Sequence, residues 1–130
     1  MGQQQLLLIV LGVIIVGIAI VVGINLFNAN AEESNKDSLV SEGTNLGAMA
    51  QQFYKKPVAL GGGGNSFTTA HGALAAWTIP GNLVNTTSGS WSPDVQDQQV
   101  ILTGSPSTNL GYTWKVYVTV DPTTIKSKVQ

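Results

Sequence analysis

The chain has 130 residues and a net charge of −1, which comes from six lysines, no arginine and seven acidic residues. This balance predicts no clustered basic surface, so we expect no nucleic acid partner. The absence of cysteine excludes a disulfide framework and a thiolate metal site. Charged residues make up only 10% of the chain, which predicts a neutral, hydrogen-bonding surface.

The first predicted element is an apolar segment that runs from Leu6 to Ile24. Its nineteen residues include no charged and no polar side chain. As a helix it would span about 29 Å, close to the hydrocarbon thickness of a bilayer, roughly 30 Å. The core of a soluble domain covers only one stripe of a helix. The segment is therefore predicted to lie in lipid or in a bundle of identical helices. It lacks the flanking pattern of a signal peptide, so we expect it to be retained in the working protein.

The same helix is predicted to continue into an amphipathic half. Apolar or small residues recur at intervals of four and three, as one helical face requires, at Leu39, Gly43, Leu46, Ala50 and Phe53. Pro57 then prevents continuation. We predict one helix from about Gly2 to Tyr54. Residues 1–31 are interpreted as an apolar arm and residues 32–130 as a globular head.

The region after the helix contains four consecutive glycines, Gly61 to Gly64. A phosphate-binding loop would need a lysine and a hydroxyl residue directly after them, and neither stands in the required order. A flexible chain reversal is the preferred interpretation. Residues 66–69 read as a strand, whereas residues 73–79 fit either a short strand or a single helical turn.

The C-terminal part shows β patterns. Short strands are predicted over residues 88–91, ended by Pro93, and over residues 98–103, followed by a turn at residues 104–106. The strongest strand covers residues 112–120, where apolar and polar residues alternate, and residues 123–129 form an edge strand. The predicted fold is α+β, with a long helix on an antiparallel sheet of three to four strands. The predicted helix-to-sheet core consists of Leu39, Leu46, Phe53, Trp114, Val116 and Val118.

These features resemble a type IV pilin or pilin-like filament subunit. The likeness lies in an apolar helix that begins near the N-terminus, its run into an amphipathic half, and a small C-terminal sheet. The stretches Ala48–Pro57 and Gly61–Phe67 resemble short prepilin-like proteins of bacteria. The chain departs from the pattern at Gln5, where pilins usually carry a glutamate, and it lacks the usual proline late in the arm.

The resemblance implies a structural subunit and not an enzyme, with no catalytic residue, cofactor or metal. Its partners would be copies of itself, the membrane before assembly and a pilus-assembly machinery. It would form an extracellular, cell-surface filament from a precursor in the inner membrane. The residues implied in polar contacts near the N-terminus are Gln3, Gln4 and Gln5. Those implied in filament-core packing are Leu6, Leu7, Ile9, Val10, Leu11, Val13, Ile14, Val16, Gly17, Ile18, Ile20, Val21 and Ile24.

Two other classes of function stay open. One is a membrane-anchored extracytoplasmic binding module with a solitary transmembrane helix that does not polymerise. The other is an anchored hydrolase, which would depend wholly on His71, the only histidine. A solvated loop position is the simpler interpretation of His71.

Other residues that suggest chemistry have simpler interpretations too. A solvated turn or an incidental cation contact accounts for Asp94 and Asp97 more simply than a pair of catalytic carboxylates. Core packing accounts more simply than a sugar-binding or electron-transfer cluster for Trp77, Trp91 and Trp114. Asn85-Thr86-Thr87 forms a glycosylation sequon on a predicted loop.

Overall fold

A computed structural model describes residues 2–130 of the chain. Helix α1 extends over Gly2–Lys55, and a four-residue helix α2 over Gly81–Val84. Four strands follow: β1 (Gly89–Val95), β2 (Val100–Pro106), β3 (Val116–Val120) and β4 (Ile125–Val129). Short 3-10 turns lie at Val58–Leu60 and Thr108–Leu110. The predicted α+β class is confirmed.

The chain divides into two compact units, with the boundary between Ser34 and Asn35. The described part of the first unit, residues 2–34, is helical throughout. The second contains the remaining turns of α1, α2 and the sheet.

The sheet of the second unit is an antiparallel meander in the order β1-β2-β3-β4. Its register places Trp91 opposite Gly104, Leu102 opposite Val118, and Val120 opposite Ile125. Side chains alternate between the two faces of a strand. The burial of β2 and β3 follows this period of two, because every second side chain is inside.

The core of the second unit lies between α1 and the inner face of the sheet. Leu39 and Ala50 of α1 have no exposed surface, and Leu46 is 2% exposed. These residues pack with a cluster from the sheet and the connecting segments, formed by Phe67, Trp77, Ile79, Trp91, Val100, Leu102, Val116, Val118 and Val120. Of the predicted helix-to-sheet core, Phe53 and Trp114 are only partly buried against this cluster.

The glycine tract, Gly61 to Gly64, caps the C-terminal end of α1. The last carbonyls of a helix have no partner within it. Here the N–H groups of Gly63 and Gly64 donate to the carbonyls of Phe53 and Lys56, at 2.8 and 3.0 Å. A Cβ at Gly63 would come within 1.8 Å of the Ser66 carbonyl oxygen, and one at Gly62 within 2.2 Å of that of Lys56. The predicted reversal is present, and hydrogen bonds hold it in place.

The strand predicted over residues 66–69 is wrong. The hydroxyl of Ser66 accepts a hydrogen bond from the backbone N–H of Thr68 at 3.0 Å. The hydroxyl of Thr68 accepts one from the backbone N–H of Ala70 at 3.3 Å. Such local bonds offer the backbone an alternative to a sheet ladder. Residues 73–79, whose sequence fits either a short strand or a helical turn, form neither and are irregular.

The bounds of all four strands differ from the prediction, and β4 begins two residues later than expected, at Ile125. β1 continues through Pro93, which lies opposite Leu102. Because β1 is an edge strand, the missing N–H of a proline interrupts no ladder on its open side. β2 includes Gly104 and Pro106, which the sequence had suggested as a turn. β3 begins at Val116, so residues 112–115 precede it.

Candidate interaction surface

The apolar segment Leu6–Ile24 is exposed on every face of α1. Its large side chains, from Leu6 to Ile24, are between 52% and 69% exposed. The polar residues Gln3, Gln4 and Gln5 are also exposed, as is every residue from 2 to 31. The first charged residue along the helix is Glu32. The positions predicted for filament-core packing therefore form one exposed, uncharged apolar surface.

This surface determines the surroundings that the segment requires. Fully burying one large aliphatic side chain is worth about 1.5–3 kcal/mol. Fifteen such side chains between Leu6 and Ile24 are exposed, so leaving them in water would cost on the order of tens of kcal/mol. The helix is long and apolar enough to cross a membrane. The apolar segment can therefore anchor the chain in a membrane.

Small residues are distributed unevenly around this helix. At about 100° per residue, Gly12, Ala19 and Gly23 lie on one face, whereas Gly17 lies on another. A Cβ added at any of the three glycines would meet no atom within 4 Å. Nothing within the described chain thus requires glycine there. In membranes, small residues let helix backbones approach each other closely.

His71, Ser66 and Asp97 do not form a catalytic triad. The Nδ1 atom of His71 lies 2.8 Å from the carbonyl oxygen of Gly64, while the hydroxyl of Ser66 donates to the carboxylate of Asp97. The hydroxyl proton of Ser66 is thus directed to Asp97. A serine nucleophile would instead need its proton directed to the histidine. Ser66 is fully buried. Within residues 2–130 no three His, Cys, Asp or Glu side chains cluster as metal ligands.

The hydrogen bond from Ser66 has an electrostatic effect on Asp97. It stabilises the charged carboxylate and is the largest cause of a pKa lowered from the ordinary value of 3.8. Gln98 and the nearby His71 lower this pKa further, whereas desolvation opposes them. The sequence had suggested a solvated turn at Asp97. Asp97 is indeed exposed and lies in a bend, and its carboxylate also accepts the hydrogen bond from Ser66, which links two loops.

The tryptophans have different environments. Trp77 and Trp91 are buried in the core, 6% and 3% exposed. Trp114 is half-buried; its ring stacks on that of Tyr112 at a centroid distance of 5.5 Å, and the Nζ atom of Lys36 lies 5.4 Å from its centroid. The three rings are therefore not one aromatic cluster.

Sequence reasoning missed Glu42. One oxygen of its carboxylate accepts hydrogen bonds from Trp91 Nε1 at 3.1 Å and Thr86 Oγ1 at 3.0 Å. A signal was available, because Glu42 stands between Leu39 and Leu46 on the buried side of the amphipathic helix. An acid at such a position needs donors from the opposing sheet.

No protein-family model, curated protein or solved structure matches this chain. The features that bear on its function are therefore those of its own surface. Of these, the apolar segment is the largest.

Proposed function

We propose that this chain is a structural subunit that polymerises through its apolar N-terminal helices into an extracellular, pilus-like helical filament. The observation that carries the proposal is the exposure of Leu6–Ile24 on every face of the helix. Each large side chain in this segment is more than half exposed. A helix apolar all round is fully covered only by lipid or by several other helices. In a filament, copies of the same segment cover one another.

The free energy of such an assembly comes from more than apolar transfer. Lipid is as apolar as leucine, so moving the segment from membrane to filament core gains little by itself. Close packing at Gly12, Ala19 and Gly23 supplies dispersion contacts that lipid chains do not provide. Polar contacts of Gln3, Gln4 and Gln5 with neighbouring copies add hydrogen bonds. The membrane thus serves as a reservoir of subunits.

The competing function is a solitary membrane anchor for an extracytoplasmic binding module. An anchor often carries basic residues beside the membrane to fix its orientation. The first lysine here is Lys36, twelve residues beyond Ile24 and preceded by two glutamates. This arrangement favours assembly over simple anchoring. It also leaves the uncharged end of the helix free to enter a bundle.

The test compares two variants of the full chain in its native cells. Gly12→Leu adds bulk to the small-residue face while it keeps the segment apolar, so membrane insertion should be preserved. Ile20→Leu conserves volume and serves as the control. Material sheared from the cells is viewed by negative-stain microscopy, and the membrane fraction is measured by immunoblot.

We expect filaments from the native chain and from Ile20→Leu. Gly12→Leu should give few or none, with the protein present in the membrane at native amount. Native cells that bear no fibre containing this chain, or native material that stays monomeric in detergent, would refute the proposal in favour of the anchor.

A further inference from the structure

The sequence contains one site at which asparagine is followed two residues later by a hydroxyl residue. Asn85-Thr86-Thr87 has this pattern, and none of the other asparagines does. Enzymes that attach glycans to asparagine require Asn-X-Ser/Thr on an accessible surface. Short motifs also match by chance, and the geometry of the site distinguishes an accessible acceptor from a chance match.

The backbone of this site is extended and held in place. Asn85 has φ −119° and ψ 121° and forms an isolated bridge with Ser90. The hydroxyl of Thr86 donates to Glu42 at 3.0 Å, and its N–H donates to the carbonyl of Gly89 at 2.8 Å. Thr86 is thus directed toward the helix. Because side chains alternate along extended backbone, its two neighbours point away from it.

The two residues that a glycosylating enzyme must read are both presented to solvent. Asn85 and Thr87 are exposed. Within residues 2–130, neither the carboxamide of Asn85 nor the hydroxyl of Thr87 has a hydrogen-bond partner. Thr86, the middle residue of the motif, anchors the segment through its hydrogen bonds, while Asn85 and Thr87 on either side of it stay exposed. A chance match within the core or a hydrogen-bonded turn would not have this arrangement.

A polar recess adjoins Asn85. It has a volume of about 260 Å³ and is lined by Asn85, Thr86, Gly89, Ser90 and the segment 105–108. Three serines and Thr108 supply hydroxyl groups that both donate and accept hydrogen bonds. Sugar hydroxyls offer the same chemistry. The surface beside the carboxamide therefore suits a sugar ring that folds back on the protein.

We propose that Asn85 is a site of N-linked glycosylation, with a lipid-linked sugar diphosphate as the donor. The Nδ2 atom of Asn85 forms a bond to the anomeric carbon of the sugar. The bond from that carbon to the phosphate oxygen breaks, and the lipid diphosphate leaves with the bonding electron pair. A carboxylate base of the transferase takes the proton lost by the amide. This inference does not depend on polymerisation and extends beyond the proposed filament function.

The test is peptide mass spectrometry on the full chain from its native cells. The native chain should carry sugar mass on Asn85, and Thr87→Ser, which keeps the hydroxyl, should retain it. Asn85→Gln and Thr87→Ala should each abolish it. Asn82→Gln is the matched control, because Asn82 is exposed but has Val84 two residues later; it should leave the modification unchanged.

An unmodified Asn85 in the native chain would overturn the proposal. Sugar found on another residue, or occupancy that persists in Thr87→Ala, would overturn it as well. Loss of filaments is not the readout, so failure here would leave the filament proposal intact. Conversely, a glycan on Asn85 in a chain that never polymerises would support this inference alone.

Discussion

Gly43 of α1 and Trp91 of β1 pack in direct contact. A Cβ at Gly43 would lie 2.6 Å from Cη2 of the indole and 2.5 Å from Cγ2 of Val118. Real Cβ atoms do not approach other atoms so closely, so only glycine lets the helix approach the sheet to this distance. The amphipathic half of α1 therefore depends on a small residue as much as on its large ones.

We expect Gly43→Ala to lower the stability of the folded head. In an open helix this change would stabilise by up to about 1 kcal/mol, but overpacking a core typically costs about 1–3 kcal/mol. The steric clash with Trp91 and Val118 should outweigh the gain in helix propensity from glycine to alanine. Thermal unfolding of the full chain in detergent, followed by near-UV circular dichroism, measures the change. Gly81→Ala is the control, because a Cβ there meets nothing within 4 Å. An unchanged melting temperature for Gly43→Ala would contradict the packing described.

Removal of the Glu42 carboxylate should destabilise the head more than its neutralisation. In Glu42→Ala the Trp91 Nε1–H loses its acceptor, and a buried donor left without one costs about 1–3 kcal/mol. Glu42→Gln keeps an oxygen in place and should retain much of the stability. Urea unfolding followed by tryptophan fluorescence compares the two. Equal losses in both variants would show that charge, not hydrogen bonding, is what matters at this position.

We expect the free energy of unfolding to decrease at acidic pH, partly because Asp97 becomes protonated. Its pKa in the folded chain is lowered, chiefly by the hydrogen bond from Ser66. A depressed pKa contributes stability that is present above the unfolded value of 3.8 and is lost as pH falls through the folded value. Urea midpoints between about pH 6 and about pH 2 measure this dependence. Asp97→Asn should flatten the dependence of stability on pH in acid, because the amide that replaces the carboxylate does not titrate. The same acid slope in Asp97→Asn as in the native chain would rule out this linkage.

Ile15→Asp should impair membrane insertion. Ile15 lies at the centre of the apolar segment, where an aspartate costs about 2.5–3.5 kcal/mol on the scale derived from insertion experiments. Alkaline extraction of membranes, followed by immunoblot, measures the fraction that remains embedded. Ser38→Asp adds the same charge at an exposed position of the second unit and should stay embedded. If both variants resist extraction equally, the segment does not act as a membrane span.

The sequence predicted those parts of the fold that depend on periodicity. The helix was expected to end at Tyr54 and ends at Lys55, and the edge strand predicted over residues 123–129 is β4. The fold class follows from the same patterns. The exposed segment was identified by its composition, because nineteen consecutive residues without a polar side chain leave no polar face on a helix.

The predicted strand bounds were wrong where a glycine or proline, residues that usually indicate a turn, lies inside a strand for reasons of tertiary packing. Gly104 lies inside β2 because the indole of Trp91 occupies the space of its missing side chain, where a Cβ would come 2.8 Å from Cη2. Pro93 lies in β1 because one edge of that strand is open. The local pattern cannot indicate which strand will be at an edge or which ring will face a glycine, since both depend on tertiary pairing.

The candidate sites were predictable to different degrees. Asn85-Thr86-Thr87 was visible as a motif, but the inward direction of Thr86 depends on Glu42, forty-four residues away. The bond between Ser66 and Asp97 likewise joins loops that are distant in sequence. Such contacts leave no local periodic signal.

The hydrogen-bonded glycine tract at the end of α1 has a practical consequence for labelling this protein. Its composition resembles a spacer, so it would be an obvious place to insert an epitope or a fluorophore. An insertion there would separate the helix end from the N–H groups that cap it and would damage the head. Leu74, which is 98% exposed, marks a loop where a tag should be tolerated instead.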